Sequence, residues 1–181
     1  MKKNDLHWKK ISRKILYKNK RITLVEDDVK LPNGVNTSYL LHGLGKNSVT
    51  IICINKDEIL LQREYSYPVN KVIYQFPGGK VEKNELIINT AKRELTEESK
   101  LEALNFCEIG WYYINNRRSD AKMHVVVAEN FKKNNTLKSD LEENIITEWV
   151  SISKFELMIK NGQIVNYSVL AAWSLFKAKN N

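Results

Sequence analysis

Proline and glycine are scarce in this chain of 181 residues, three and seven respectively, which excludes collagen-like, proline-rich and low-complexity disordered classes. Long apolar runs are missing too: nothing approaches the roughly 18 consecutive apolar residues that a membrane-spanning helix needs. The opening MKKNDLHWKK carries lysines with no apolar stretch behind them, so neither export nor a membrane partner is expected. Only two cysteines occur, Cys53 within the apolar residues 49–54 and Cys107 alone. That excludes a disulfide framework and a cysteine zinc site, and it suits a cytoplasmic protein. What is present suffices for one sizeable core, since 43% of the residues are hydrophobic and the length is that of a single domain.

The net charge of +8 is unevenly spread. Residues 1–21 hold nine basic side chains against Asp5, and the remaining 160 residues hold 20 basic and 20 acidic ones. The body is therefore neutral and the excess sits on an N-terminal arm, either a solvated charged segment or a contact for a polyanion.

Beyond the arm, residues 21–30 and 36–43 flank Pro32-Asn33-Gly34, a turn signal that predicts a hairpin. Residues 48–55 (SVTIICIN) and 58–65 (EILLQREY) are apolar enough for strands covered on both faces. A shorter β-rich piece, 71–76, runs into Pro77-Gly78-Gly79, which neither a strand nor a helix continues easily. Residues 87–99 place Ile87, Ile88, Ala91 and Leu95 at helical spacing. Residues 123–128 and 145–152 read as strands. Ser153-Lys154-Phe155-Glu156 has the form of a capping box opening a helix that ends near Gly162. A last helix is expected over 167–177 with Val169, Leu170, Trp173 and Phe176 inward. His7, His42 and His124 have no ligand-spaced partners, and Trp111-Tyr112-Tyr113 reads as core and sheet edge. Strands and helices in this order predict an α+β fold with a mixed sheet between helices.

The chemistry-bearing segment runs from Gly79-Lys80-Val81-Glu82-Lys83-Asn84-Glu85 to Arg93-Glu94-Leu95-Thr96-Glu97-Glu98. Glu94 and Glu98, four apart, stack on one side of a helix, which costs a bare helix roughly 0.2–0.5 kcal/mol. A divalent cation turns that repulsion into attraction, and hard oxygen ligands suit Mg²⁺ or Mn²⁺; a solvated acidic face is the alternative. Arg93 stands four residues before Glu97 and can also reach back to Glu85, holding loop to helix.

This spacing matches the Nudix box from Gly79 through Glu98 and again at Leu101, with Lys100 where the family has glycine. A lysine in the left-handed conformation common after a helix costs roughly 1–2 kcal/mol, so the geometry of residues 99–101 is expected to differ. Residues 60–68 and 75–79, with the N-terminal β unit, resemble the ADP-ribose pyrophosphatase branch of the Nudix hydrolases. The resemblance implies an α/β/α sandwich with an N-terminal β-hairpin unit over residues 1–45, often exchanged across a homodimer, and a catalytic domain over 46–181. It implies metal-dependent hydrolysis of a nucleoside diphosphate linked to another moiety, most simply ADP-ribose to AMP and ribose 5-phosphate. Gly79, Glu94, Glu97 and Glu98 would serve the metal, Glu97 alternatively orienting the water, and Glu85 and Arg93 would be structural. Glu143, with Glu142 as second choice, would be the loop base. Tyr39 would stack on a base, while Arg63, Arg117 and Arg118 would contact phosphate or ribose. The branch usually has arginine where Ser66 stands and alanine where Gly78 stands. Other small nucleotide substrates (dNTPs, dinucleoside polyphosphates or RNA 5′ ends) and a non-catalytic polyanion-binding role therefore stay open, nucleic acid being the less favoured partner.

Overall fold

The computed structural model describes residues 6–133 and 145–180. The chain divides into two compact units, one made of residues 1–46 with 113–121, the other of 47–112 with 122–181.

The first unit is a three-stranded antiparallel sheet in the order β1 (Lys9–Lys18), β2 (Thr23–Lys30), β3 (Asn36–His42). The β2–β3 hairpin closes at the expected turn, where the Gly34 amide donates to the Leu31 carbonyl and the Val35 amide to the Asn33 side chain. Within the basic arm of residues 1–21, expected as a charged segment ahead of the strands, Lys9–Lys18 form the edge strand β1. Its residues are all exposed, so lysines obscure the alternation that would have identified a strand, while a basic edge resists pairing with other chains. Arg13 donates two hydrogen bonds, of 2.6 and 2.7 Å, to the buried carboxylate of Asp27 on β2. The guanidinium holds the Asp27 carboxyl below its usual range, outweighing burial.

The second unit is a six-stranded mixed sheet between helices. Its path is β6 (Lys71–Gln75), β5 (Glu58–Ser66), β4 (Ser48–Asn55), β8 (Lys122–Lys133), β7 (Leu101–Tyr113), with β9 (Ile146–Ser151) paired to β5. The β4–β8 pair is parallel; β5 runs antiparallel to β4, β6 and β9. Strand alternation sends Val49, Ile51, Cys53 and Leu60 to one face, beneath α1 (Ile87–Ser99) and its Ala91 and Leu95. Ile52, Ile59, Leu61 and Val125 go to the other face, against α2 (Ile152–Lys160) and α3 (Tyr167–Asn180) through Phe155, Val169 and Trp173. Both faces of β4 are thus covered, which is why its sequence is almost uninterruptedly apolar. No helix among the described residues is long and apolar enough to cross a membrane.

Further details depart from expectation. β7 was not foreseen as a strand because Glu102, Asn105 and Glu108 interrupt its apolar residues, and much of it is exposed. The cap of α2 is Ser151, whose hydroxyl accepts the Lys154 amide, two residues before the expected Ser153. In α3, Ala172 is buried and Leu170 faces outward. Lys100 keeps the left-handed conformation (φ 56°) that glycine would take, its amide closing α1 on the Thr96 carbonyl.

Candidate active site

The loop from Pro77 to Lys80 is stitched to β4. The Ile51 amide donates to the Pro77 carbonyl and the Val49 amide to the Gly79 carbonyl, both at 2.8 Å. Gly78 sits at φ +150°, and a Cβ there would press on the Val49 carbonyl oxygen. This loop therefore takes glycine where the branch resembled by the sequence usually has alanine. A Cβ on Gly79 would collide with the Glu94 carboxylate, so the missing side chain is what lets that carboxylate lie against the loop.

Helix α1 carries the acids over this loop. The Glu98 carboxylate accepts the Gly78 amide at 3.0 Å and the Gln62 side-chain amide at 3.0 Å, both on Oε2. Arg93 gathers the rest: its Nε and Nη2 donate to Glu85 at 3.0 and 3.1 Å, Nη2 also to the Lys80 carbonyl at 3.1 Å. Its Nη1 meets Glu94 Oε1 at 2.8 Å and Glu97 Oε2 at 3.1 Å. Glu85 also accepts the Glu82 amide at 3.1 Å, closing the loop before the helix. The Arg93 fork holds the Glu85 carboxyl down at about 2, against the opposing effect of burial. The surrounding acids in turn raise the Arg93 guanidinium, which stays charged.

The donor chemistry fits a hard divalent cation. Glu94 and Glu98, one turn apart, both lie against the glycine loop, and carboxylate and carbonyl oxygens suit Mg²⁺-like ions. Among the described residues no three His, Cys, Asp or Glu side chains already form a ligand set. The fit is therefore two carboxylates with a backbone oxygen, not a complete side-chain cage. Gly79 offers such an oxygen, one side of which receives the Val49 amide. Glu97 is turned to Arg93 and is more exposed than Glu94. Cys53 lies buried under the helix, and burial, with Glu98 nearby, pushes its thiol up, so it is no nucleophile.

Arg63 shares the period-two face of Ile59 and Leu61, which places it on the sheet face opposite α1, where its Nε stands 3.4 Å from Glu148. Tyr39 belongs to the first unit, with Trp8 edge-on at 5.7 Å and the Arg118 guanidinium 5.5 Å from its ring. Trp8, Tyr39 and Asp27 line a cleft of about 240 Å³ there. Arg117 is exposed on the 113–121 segment of the same unit. Glu142 and Glu143 fall outside the described residues. His124 hydrogen-bonds Glu108 at 2.7 Å. Gln62 belongs to no sequence motif, and a glutamine directly after Ile59-Leu60-Leu61 is the one signal that marks it.

A family model, the NUDIX domain, matches residues 45–173. The chain is 28% identical over 150 residues to an ADP-ribose pyrophosphatase of Bacillus subtilis (strain 168), covering 82% of this chain and 80% of the relative. It is 31% identical over 170 residues to a methanol dehydrogenase activator of Bacillus methanolicus, covering 91% and 89%. The crystal structure of an ADP compounds hydrolase superposes with a TM-score of 0.86 over 94% of this chain and 92% of that one, at 20% identity, which shows a shared fold.

Proposed function

The chain belongs to the Nudix family of hydrolases, and from that premise we propose that it cleaves the pyrophosphate bond of a nucleoside diphosphate joined to a further group, ADP-ribose first among them. The products would be AMP and ribose 5-phosphate. The observation that carries this reading is the convergence of Glu94 and Glu98 on the Gly78–Gly79 loop. The Bacillus subtilis relative favours ADP-ribose among the possible substrates.

Mg²⁺ or Mn²⁺ would be held by Glu94 and Glu98 with the Gly79 carbonyl, Glu97 being a further ligand or a guide for the water. When bound, the cation supplies charge neutralisation to the phosphates and acidifies a bound water. Arg93 keeps Glu85, Glu94 and Glu97 in place around the loop. Glu143, or Glu142 in its stead, would accept the proton of the attacking water. Tyr39 would offer a π-face to the base, and Arg63, Arg117 and Arg118 positive charge to phosphate or ribose. We place residues 1–45 in a β unit and 46–181 in a catalytic domain of a cytoplasmic homodimer.

A hydrolysis panel of ADP-ribose, NADH, GDP-mannose, diadenosine polyphosphates, dNTPs and 5′-triphosphate RNA, each with Mg²⁺, Mn²⁺ or chelator, tests this. Metal-dependent release of AMP from ADP-ribose is the expected result. A clear preference for dNTPs or RNA would move the substrate elsewhere in the family.

A further inference from the structure

Gln62 stands where packing alone favours an apolar residue. It is fully buried on β5, next to Ile59, Leu60 and Leu61, and it shares with Leu60 the face beneath α1. Its Nε2 donates to Glu98 Oε2 at 3.0 Å, and the Gly78 amide donates to the same oxygen at 3.0 Å. Its Oε1 is buried with no hydrogen-bond partner among the described residues. A buried acceptor left without a donor costs stability, whereas an apolar side chain of the same shape costs none. The fold therefore gains little from this amide, and its one strong contact is to a carboxylate of the site.

We propose that Gln62 is a positioning residue for Glu98. Two donors from different elements, the β5 side chain and the loop amide, fix the rotation of the Glu98 carboxylate so that it is aimed before a cation arrives. The orientation of the amide follows from charge: an ionised carboxylate only accepts, so the NH₂ must face it. This inference rests on the reading of Glu98 as a metal ligand.

The test is Mn²⁺ binding to the full chain, followed by the EPR signal of free Mn²⁺, for wild type, Gln62→Met, Gln62→Leu and Glu98→Gln, with thermal unfolding and ADP-ribose kinetics alongside. Loss of a group that orients a ligand weakens metal binding by about 10–100-fold. Both Gln62 variants should bind Mn²⁺ at least about tenfold more weakly while their melting temperatures stay level or rise. Their kcat should recover at high Mn²⁺ with KM for ADP-ribose unchanged. Wild-type Mn²⁺ affinity in both Gln62 variants, beside weakened binding in Glu98→Gln, would overturn the positioning role and leave the site reading intact. Unchanged binding in Glu98→Gln as well would remove the metal-ligand reading and this inference with it. Lower melting temperatures at unchanged Mn²⁺ affinity would make Gln62 a residue of the fold, which also overturns the proposal.

Discussion

The two units are held together by different means. In the second, a sheet is packed on both faces, and Ile51, Ile52, Leu61, Val125 and Phe155 are wholly removed from water. In the first, the buried hydrophobics among the described residues are Val25, Val29 and Ala121, and the ion pair of Arg13 with the buried Asp27 sits between Val25 and Val29 on β2. A sheet with so little apolar burial relies on its backbone ladder, its turn and its charges. A sheet closed between helices can carry strained and repulsive features on its surface. The acidic face of α1, Lys100 in a left-handed conformation and the glycine loop all occur in the unit with the larger core.

The largest loss should come from Glu98→Gln, which keeps size and helix propensity but removes a charge. Activity should fall by about 10²–10³-fold or more with little change in melting temperature, since the apolar packing is untouched; initial rates and thermal unfolding of the same preparation check this. Arg93→Met removes the shared partner of Glu85, Glu94 and Glu97. It should lower activity and stability together, the latter by roughly 2–3 kcal/mol because partly buried carboxylates lose their counter-charge; denaturant titration reads the loss.

In the first unit Arg13→Met should act through the sheet alone. Asp27 would be left buried without its counter-ion, at about 1–2 kcal/mol once the partial exposure of Arg13 is allowed for. Amide exchange should speed up along β1 and β2 and stay as in wild type at β4 and β8. Equal acceleration in both sheets would show that the units do not differ in the way described.

The pairing of Glu85 with Arg93 should also show as a pH dependence. Glu85 has its folded value depressed to about 2 from an ordinary 4.5. Its stabilising contribution is therefore complete above about pH 4.5 and is lost as pH falls through about 2. The stability gap between wild type and Glu85→Gln should be constant from neutral pH down to that range and then close. A gap that persists at pH 2 contradicts the pairing.

Legibility differed along the chain for physical reasons. The α1 helix and its carboxylates were readable because helical spacing and like charges at i,i+4 are both local patterns, and the structure begins and ends that helix at residues 87 and 99. The turn at Pro32–Gly34 was readable for the same reason. The strand β1 was hidden by lysines that need no burial, and β7 by polar residues on its open side. The shift of the α2 cap from Ser153 to Ser151 reflects two serines competing for one helix start, a choice settled by where β9 ends. The contact of Gln62 with Glu98 joins residues 36 apart in sequence, and no local pattern reports it.

Action of the Glu94–Glu98 face on a nucleoside diphosphate is read from AMP release from ADP-ribose with Mg²⁺, with chelator, and by Glu98→Gln with Mg²⁺. The face should need both its metal and its Glu98 charge, with rapid release in the first case and near-background rates in the other two. Equal rates for wild type and Glu98→Gln at saturating Mg²⁺, or no hydrolysis of ADP-ribose or any other nucleoside diphosphate derivative by the folded wild type, would contradict it.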